Sequence, residues 1–289
     1  MKVQIGNGTF FEGDCIEVMS SLAAESVDLV VTSPPYDNLR TYNDGEAWTW
    51  SVFECVAEKL VRLIKPGGVI VWNVNDATVN GSETGSSFRQ ALHFKDALGL
   101  NLHDTMIWNK GGFSAVGALQ TRYAPVFEFM FVMTKGAIAT FNPIKDRPNK
   151  HAGSSFKGTV RQADGSMRPM VCQGKTIADF GQRFNIWDIG PQRQRGGHPA
   201  PFPEALARDH ILSWSNEGDM VLDPFGGSGT TAVAAERAGR RWIFIERDLE
   251  YASMARERID EAVSTPLQRK VILAKRANPI ETAQASLFG

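Results

Sequence analysis

Cysteine is scarce in this chain, which argues against a fold held together by disulfides. Only Cys15, Cys55 and Cys172 occur among 289 residues, and their scattered positions do not form a disulfide framework. We therefore expect reduced thiols and a cytoplasmic location. No group of Cys and His residues has metal-ligand spacing, so the sequence predicts no bound metal.

Long apolar segments are also absent. No run approaches the ~18 apolar residues that a helix needs to cross a bilayer. The N-terminal sequence MKVQIGNGTFFEGD lacks the apolar core of a signal peptide. With 43% hydrophobic and 22% charged residues, the composition is that of a globular protein, and we expect no membrane partner.

Strand and helix patterns alternate over most of the chain. Such alternation predicts an α/β fold with a doubly wound sheet of parallel strands. Predicted strands cover residues 27–33, 69–75, 101–110, 126–136, 219–223 and 241–246, and predicted helices cover 48–64, 86–100, 203–215, 228–239 and 249–263. The strand at 126–136 is expected to follow a hairpin. Residues 264–289 have no clear pattern, which predicts a partly disordered tail.

Positive charge is concentrated in residues 136–197. This stretch holds ten Lys or Arg and four Asp, although the whole chain has a net charge of −1. Its weak periodicity predicts a small insertion between two halves of the sheet domain, residues 1–135 and 198–263. A basic surface suits the phosphate backbone of a nucleic acid, and a solvated loop region is the alternative. The candidate DNA-binding residues are Arg147, Lys157, Arg161, Arg168, Lys175, Arg193 and Arg195.

A strand, a glycine turn and a helix start follow one another in VLDPFGGSGTTAVAA, residues 221–235. Backbone N–H groups and the helix dipole at such a turn favour a small anionic ligand. A triphosphate loop is excluded because Gly229 is followed by Thr230 rather than Lys. The dinucleotide fingerprint fails because residue 232 is Ala. What remains is a site for a smaller anion, such as a carboxylate, and a turn that only starts the helix is the alternative.

Glu246 ends the strand that follows this turn. A carboxylate at that position of a doubly wound sheet accepts hydrogen bonds from ribose hydroxyls. Phe225 lies in the turn itself and offers a flat apolar surface. A carboxylate site, a ribose site and an aromatic surface together suggest S-adenosylmethionine as the ligand.

The strand at 27–33 ends on Ser33-Pro34-Pro35-Tyr36. The prolines have no N–H, and a residue before proline is held extended, so the segment exposes oxygen acceptors without competing donors. Such acceptors suit the amino group of a nucleobase and localise its lone pair toward an incoming methyl group. The base must leave the duplex, and Tyr36 would replace the lost stacking. Because the carboxyl ends of parallel strands share one edge, we expect this segment to face the glycine turn.

Three motifs in this order resemble the β group of the amino-methylating DNA methyltransferases, over about residues 10–263. They are TSPPY (32–36), HPAPFPEAL (198–206) and DPFGGSGTT (223–231). The resemblance implies a circularly permuted Rossmann-like sheet, with residues 136–197 as a small target-recognition region. It also implies S-adenosylmethionine as cofactor, double-stranded DNA as partner, and a bacterial or phage-encoded protein.

The resemblance also assigns roles to matching positions. Ser33, Pro34, Pro35 and Tyr36 would hold the target amino group. The cofactor would be bound by Asp14, Cys15, His198, Asp223, Phe225, Gly227, Ser228, Gly229, Thr230 and Glu246. The side chain of Asp14 would meet the adenine amino group of the cofactor.

The sequence leaves the identity of the target base open. Many adenine-specific members of the family have Asp where this chain has Ser33, and Lys where it has Phe202. Ser together with HPAPFP is more frequent among enzymes that methylate cytosine N4, so we favour cytosine N4 over adenine N6. Methylation of RNA or of a protein amide and a non-catalytic nucleic-acid-binding module are further alternatives. Cytosine C5 methylation is excluded, because it needs a thiol that follows a proline and no cysteine here does.

The C-terminal AQASLFG, residues 283–289, supports a further hypothesis. The peptide Gln284–Phe288 resembles the short segment with which bacterial replication proteins bind the sliding clamp. A disordered tail without a partner is the alternative. The sequence does not determine the oligomeric state, and a homodimer is compatible with it.

Overall fold

The computed structural model describes residues 1–35, 48–112, 120–191 and 202–265. Several predicted functional residues lie outside these ranges. They are Tyr36, Arg193, Arg195, His198 and the peptide Gln284–Phe288. The structure therefore bears on the remaining site residues only.

The chain forms two compact units. The first consists of Met1–Asn142 and Asn185–Leu273, and the second of Pro143–Phe184 and Ala274–Gly289. The segment Pro143–Phe184 is shorter than the insertion at residues 136–197 that charge and periodicity predicted. The reason is that Ile186–Asp188 pairs with a strand of the first unit.

Fifteen strands occur in the described residues. They are β1 (Lys2–Ile5), β2 (Gly8–Glu12), β3 (Val27–Thr32), β4 (Ile64–Val74), β5 (Thr78–Val79), β6 (Ser82–Glu83), β7 (Asn101–Asn109), β8 (Phe127–Thr134), β9 (Arg147–Pro148), β10 (Thr159–Arg161), β11 (Met167–Pro169), β12 (Phe180–Gly181), β13 (Ile186–Asp188), β14 (Met220–Asp223) and β15 (Arg241–Glu246). All six strands predicted from the sequence are present.

Six α-helices occur in the same residues. They are α1 (Cys15–Ser21), α2 (Trp50–Leu63), α3 (Ser86–Leu92), α4 (Glu204–Trp214), α5 (Thr230–Arg237) and α6 (Leu249–Ser264), and a π-helical segment (His93–Ala97) continues α3. The side chains of Asp14, Thr49 and Asp248 accept hydrogen bonds from the first turns of α1, α2 and α6, which fixes where these helices begin.

Within the described residues, nine strands form one sheet in the order β1-β2-β15-β14-β3-β4-β8-β7-β13. The five strands from β2 to β4 in this order are mutually parallel. Across the sheet, the chain moves from β3 to β4 in one direction and from β14 to β15 in the opposite direction. The winding therefore reverses between β3 and β14, and ligands of such sheets bind at the carboxyl ends beside this reversal.

Helices cover both faces of the sheet. On one face, α2 directs Phe53, Leu60 and neighbouring apolar residues at helical spacing against buried Trp72 of β4 and Phe94. On the other face, α4 and α5 pack against each other, and α4 also contacts β3. This arrangement confirms the doubly wound α/β class.

The sheet is mixed rather than fully parallel, which corrects the sequence expectation. β8 pairs antiparallel with both β4 and β7, so the expected hairpin reverses one strand inside the sheet. An unpredicted N-terminal hairpin of β1 and β2 adds a third antiparallel pair, and β2 extends the sheet beside β15. Strands as short as these give little periodicity from which to predict them.

The second unit contains short paired strands that weak periodicity did not predict. β10 pairs with β11 and β9 with β12, both antiparallel. Arg183 Nε donates to the Asp146 carboxylate at 3.0 Å, and the Arg147 guanidinium lies 4.5 Å from the ring centre of Phe184. Every residue of β10 and β11 is exposed. The pair β10–β11 is thus a ribbon open to solvent on both faces within this unit.

The described residues contain neither a membrane-spanning helix nor a cluster of metal ligands. None of the helices there is long and apolar enough to cross a membrane. No group of three or more His, Cys, Asp or Glu in those ranges is arranged to hold a metal ion. Cys15, Cys55 and Cys172 are free thiols.

Candidate active site

The segment after β3 and the glycine turn after β14 lie side by side. Val30 of β3 is paired in parallel with Leu222 of β14. One step further along, Thr32 Oγ1 donates a hydrogen bond to Asp223 Oδ1 at 2.7 Å. Ser33 follows directly, so the predicted acceptor segment and the predicted ligand turn share one edge of the sheet. This adjacency is as the sequence analysis expected.

Asp223 is enclosed by protein donors at this junction. Its residue is 3% exposed, and Oδ1 also accepts a hydrogen bond from Phe225 N at 3.1 Å. Burial raises the pKa of the carboxyl to about 6, although hydrogen bonds from Thr231 and Thr32 act to lower it. The side chain therefore links the acceptor segment to the glycine turn, and the direct cofactor contact that the resemblance implied stays a prediction.

The glycine turn leaves the start of α5 open. Gly227 and Gly229 have φ values of +50° and +82°, which are accessible to glycine at little cost. Within the part of the chain that the structure describes, no side chain caps the helix at Gly229, so its first-turn N–H groups are directed at the ligand edge. Arg258 of α6 holds the turn from outside, donating to Ser228 O and, at 2.8 Å, to Ser228 Oγ.

Glu246 lies at the end of β15, beside the same turn. Its Oε2 accepts from Gly227 N at 2.8 Å, and its Oε1 accepts from Asp248 N at 2.9 Å. Burial raises the pKa of this carboxyl, and these backbone donors oppose the rise. Each carboxylate oxygen keeps a second lone pair, so the group can accept hydroxyl donors in addition.

An aromatic corner adjoins the turn. The rings of Trp48 and Phe225 meet edge to face with their centres 5.3 Å apart. The indole Nε1 of Trp48 is buried and has no hydrogen-bond partner among the described residues. Trp48 also packs against the hydrophobic core, so its ring connects the core to the candidate site.

Asp14 and Cys15 lie at the start of α1, on the far side of β15. Asp14 Oδ1 accepts from Ile16 N at 2.8 Å and from Glu17 N at 3.0 Å, so this carboxylate caps the helix. The thiol of Cys15 is half-buried, and burial raises its pKa to about 12. Such a thiol is a neutral packing group rather than a nucleophile.

A buried polar cluster occupies the same edge on the other side of β3. Lys110 Nζ lies 2.6 Å from Glu128 Oε1, and Asn73 Nδ2 donates to Glu128 Oε2 at 2.9 Å. Glu128 and Asn73 are 8% and 4% exposed. Sequence analysis missed all three residues. The available signal was Glu128, a single acid inside the apolar strand VFEFMFVM.

The predicted DNA-binding residues are mostly exposed in the second unit. Lys157, Arg161, Arg168 and Lys175 face solvent. Arg147 instead donates from Nε to Gln182 O at 3.0 Å and is half-buried. These residues belong to the second unit, and the acceptor segment belongs to the first.

Comparison with known sequences identifies close relatives over nearly the whole chain. The profile of the N6/N4 methylases, described as DNA methylase, matches residues 27–257. The orphan methyltransferase M.BamHII of Bacillus amyloliquefaciens is 48% identical over 260 residues, covering 87% of this chain and 92% of that protein. The DNA adenine methyltransferase YhdJ of Escherichia coli (strain K12) is 32% identical over 271 residues, covering 88% of this chain and 83% of its own.

Solved structures share the fold. PvuII DNA methyltransferase, which is cytosine-N4-specific, gives a TM-score of 0.66 at 21% identity and covers 90% of this chain and 93% of its own. At that identity the likeness concerns the fold alone. TTHA0409 of Thermus thermophilus, solved in complex with S-adenosyl-L-methionine, gives a TM-score of 0.58 at 28% identity. The match covers 88% of this chain and 95% of TTHA0409. Both likenesses confirm the Rossmann-like methyltransferase fold.

Proposed function

The chain belongs to the N6/N4 DNA methylase family, and we propose that it methylates the exocyclic N4 of cytosine in DNA. It is an S-adenosylmethionine-dependent DNA amino-methyltransferase, as are the members of this family. The proposal for cytosine rests on Ser33. In the family resemblance, many adenine-specific members have Asp at this position, and this chain has Ser.

Ser33, Pro34 and Pro35 would hold the target amino group in this proposal. The segment extends from β3, whose last residue Thr32 is fully buried and bonded to Asp223, so the acceptors start from a fixed point. Acceptors that receive both amino hydrogens leave the nitrogen lone pair free to attack. Tyr36 would support the flipped base by stacking.

The chemistry of the donor set fits S-adenosylmethionine. The uncapped N–H groups at the start of α5 suit its carboxylate, and Glu246 suits ribose hydroxyls. Phe225 and Trp48 would flank the adenine, and the buried Nε1 of Trp48 has a donor to offer. When bound, the cofactor supplies an electrophilic methyl group. The cofactor would also contact four residues of the glycine turn, which are Gly227, Ser228, Gly229 and Thr230. We propose further contacts from Asp14, Cys15 and His198.

Asp223 would act as a positioning residue rather than a ligand contact. Its carboxylate accepts from Thr32 on one side and from Phe225 N on the other. One buried group therefore ties the acceptor segment to the cofactor turn. A fixed separation between nucleophile and methyl donor accounts for much of the rate that an enzyme gains from orientation.

The second unit would contact double-stranded DNA and provide sequence recognition. Between Pro143 and Phe184 it carries eight Lys or Arg and three Asp. The exposed ribbon β10–β11 has dimensions that a major groove accepts. Lys157 and Lys175, together with Arg193 and Arg195 near the motif at 198–206, would contact phosphates.

Adenine N6 is the second candidate, because YhdJ, an adenine methyltransferase by name, is 32% identical to this chain. Incubating the enzyme with S-adenosylmethionine and unmethylated plasmid DNA, then digesting the DNA to nucleosides, separates the two by mass spectrometry. We expect N4-methyldeoxycytidine as the product nucleoside. A signal from N6-methyldeoxyadenosine alone would reject the cytosine proposal and retain the family activity.

Binding of the C-terminal peptide Gln284–Phe288 to a sliding clamp stays a prediction, since these residues lie outside the described ranges. The homodimer also stays a prediction. Clamp-coated beads should retain the full chain and release one that ends at residue 283. Equal retention of both chains would end the clamp hypothesis.

A further inference from the structure

The ion pair of Lys110 and Glu128 has a fixed direction along the sheet. In the strand order β3-β4-β8-β7, Glu128 belongs to β8 and Lys110 follows β7, so the carboxylate lies nearer to β3 than the ammonium does. Adjacent strands are about 4.8 Å apart, which puts the Glu128 carboxylate within roughly 10 Å of the acceptor segment at Ser33. The negative end of the pair is therefore directed toward the proposed reaction centre.

The pair and the reaction centre also share one face of the sheet. Thr32 is in register with Trp72, so Asn73 is the residue of β4 that borders Ser33. Trp72 and Val74 point into the core beside α2, and Asn73 between them points to the opposite face. Asp223, which is bonded to Thr231 of α5, is on that opposite face as well.

Stability alone gives a poor reason for burying these charges. Removing a Lys and a Glu from water costs more than their attraction returns in many buried pairs. The side chains of Lys110 and Glu128 are only 26% and 11% exposed. Asn73 adds a hydrogen bond that fixes the carboxylate on the side nearer to β3. An ion pair whose desolvation costs free energy, and which has a fixed direction at the carboxyl edge of the sheet, points to an electrostatic role.

We propose that the Lys110–Glu128 pair is a preoriented dipole that stabilises the positive charge appearing on the target amino group during methyl transfer. The amino lone pair forms the new N–C bond while the S–C bond breaks and leaves its electron pair on sulfur. One positive charge thereby moves from sulfur to the amino nitrogen, and a proton then leaves that nitrogen to solvent. Glu128 acts through space, and no contact with the base is assigned to it.

The inference deepens the proposed function and depends on one part of it, the location of the amino group at Ser33. It does not depend on whether the base is cytosine or adenine. If nucleoside analysis of the wild-type product gave N6-methyldeoxyadenosine, the cytosine proposal would fail and the dipole would remain testable on that product.

Two single substitutions give effects of opposite sign if the dipole acts on the reaction. Single-turnover methyl transfer is measured at pH 8 with saturating S-adenosylmethionine and duplex DNA. Glu128→Gln should lower the rate about two- to threefold, because the positive charge moves only a few ångströms, from sulfur to nitrogen, and a carboxylate at about 10 Å with an effective dielectric constant near 20 favours the nitrogen only by the difference between those two distances. Lys110→Gln should not lower it, because the remaining carboxylate acts on the nitrogen without an opposing cation. A fall of similar size in both variants would overturn the proposal.

A charge swap keeps the pair and reverses its direction, which covers the case in which the single variants fold poorly. The double variant Lys110→Glu/Glu128→Lys should slow transfer by a few-fold, since both charges change sign at different distances. Its melting temperature and its affinity for S-adenosylmethionine should stay near the wild-type values. A swapped enzyme with the wild-type rate would show that the pair is structural only.

The chain provides a matched control at the opposite edge of the sheet. Asp28 Oδ1 lies 2.7 Å from Lys65 Nζ, at the amino ends of β3 and β4. Ser33 is five residues away along an extended strand, about 16 Å, so this pair has little influence on the reacting nitrogen. Asp28→Asn should leave the single-turnover rate within about 1.3-fold of the wild-type value. A loss of about two- to threefold or more there would show that the assay reports general damage to the sheet.

Discussion

The two sides of β3 hold their buried acids in different ways. On the β14–β15 side, Asp223 and Glu246 accept hydrogen bonds from hydroxyl and backbone N–H groups, which carry no charge. On the β4–β8 side, Glu128 is paired with the ammonium of Lys110. Burial raises the pKa of both acids on the first side.

The difference matches the charge of what each side has to bind. S-adenosylmethionine carries a positive sulfonium, and these two carboxylates, whose hydrogen-bond donors named above are uncharged, leave negative potential on its side. A nucleobase arrives neutral, and the ion pair on its side has no net charge. The dipole of the pair acts on the base only once the base becomes positive. Each side is thus matched to the charge that it meets at the start of the reaction.

Asp223→Asn gives the largest expected effect, seen in stability as a function of pH. The folded pKa of about 6 lies above the ordinary 3.8, so the folded state binds the proton more tightly. The wild type therefore loses up to about 3 kcal/mol of unfolding free energy as pH rises from 4 to 7, and the variant does not. Urea denaturation of both proteins at several pH values measures this. Parallel pH profiles would mean that the carboxyl is not perturbed by burial.

Ser33→Ala should lower methyl transfer about 100-fold, because it removes an acceptor that acts on the nitrogen only as it reacts. Affinity for S-adenosylmethionine, measured by calorimetry, should change little, since the proposed cofactor site lies at the glycine turn after β14 rather than at the segment after β3. The matched variant Ser33→Thr keeps the hydroxyl and should retain more of the rate. An equal loss of cofactor affinity and turnover would reject the assignment.

Glu246→Gln should weaken binding of S-adenosylmethionine by about tenfold or more, as expected for a lost charged acceptor. The amide keeps the shape of the side chain and one oxygen for Gly227 N. DNA affinity, measured by fluorescence anisotropy, should stay at the wild-type value. A variant with weaker DNA binding and normal cofactor binding would contradict the division of the edge into two sides.

Charge reversal on the ribbon gives the smallest effect and tests which face of it meets DNA. Arg168 is opposite Val160 and Arg161 is opposite Met167, so the two arginines lie on opposite faces. Arg161→Glu and Arg168→Glu are each other's controls. One of them should weaken DNA binding and reduce the slope of log affinity against log salt by about 1, and the other should leave the slope unchanged. Unchanged slopes in both would place recognition outside the ribbon.

Much of the fold was predictable because periodic apolar patterns are long there. Residues 241–246 form a strand with the predicted bounds, and α6 differs from its prediction by one residue. The β1–β2 hairpin and the ribbon were missed, since strands of three to five residues have too few repeats to show a period. The reversal of β8 depends on strand pairing, which one strand's own pattern does not contain.

The candidate site was predictable where residues adjoin in sequence and not where they meet only in space. Ser33 and the glycine turn were found as motifs, and parallel topology correctly placed them on one edge. Lys110 and Arg258 were missed because each is one basic residue without a motif around it. Their roles follow from partners that lie 18 and about 30 residues away in sequence.

The hydrogen bond from Thr32 to Asp223 joins residues 191 positions apart. During synthesis, β3 therefore leaves the ribosome long before the strand that covers its second edge. Until β14 has been made, β3 has a neighbour only in β4, and the oxygen acceptors after it have no fixed support. Catalytic competence is thus gained late in translation, when the C-terminal part of the chain inserts beside a strand that was made near its beginning.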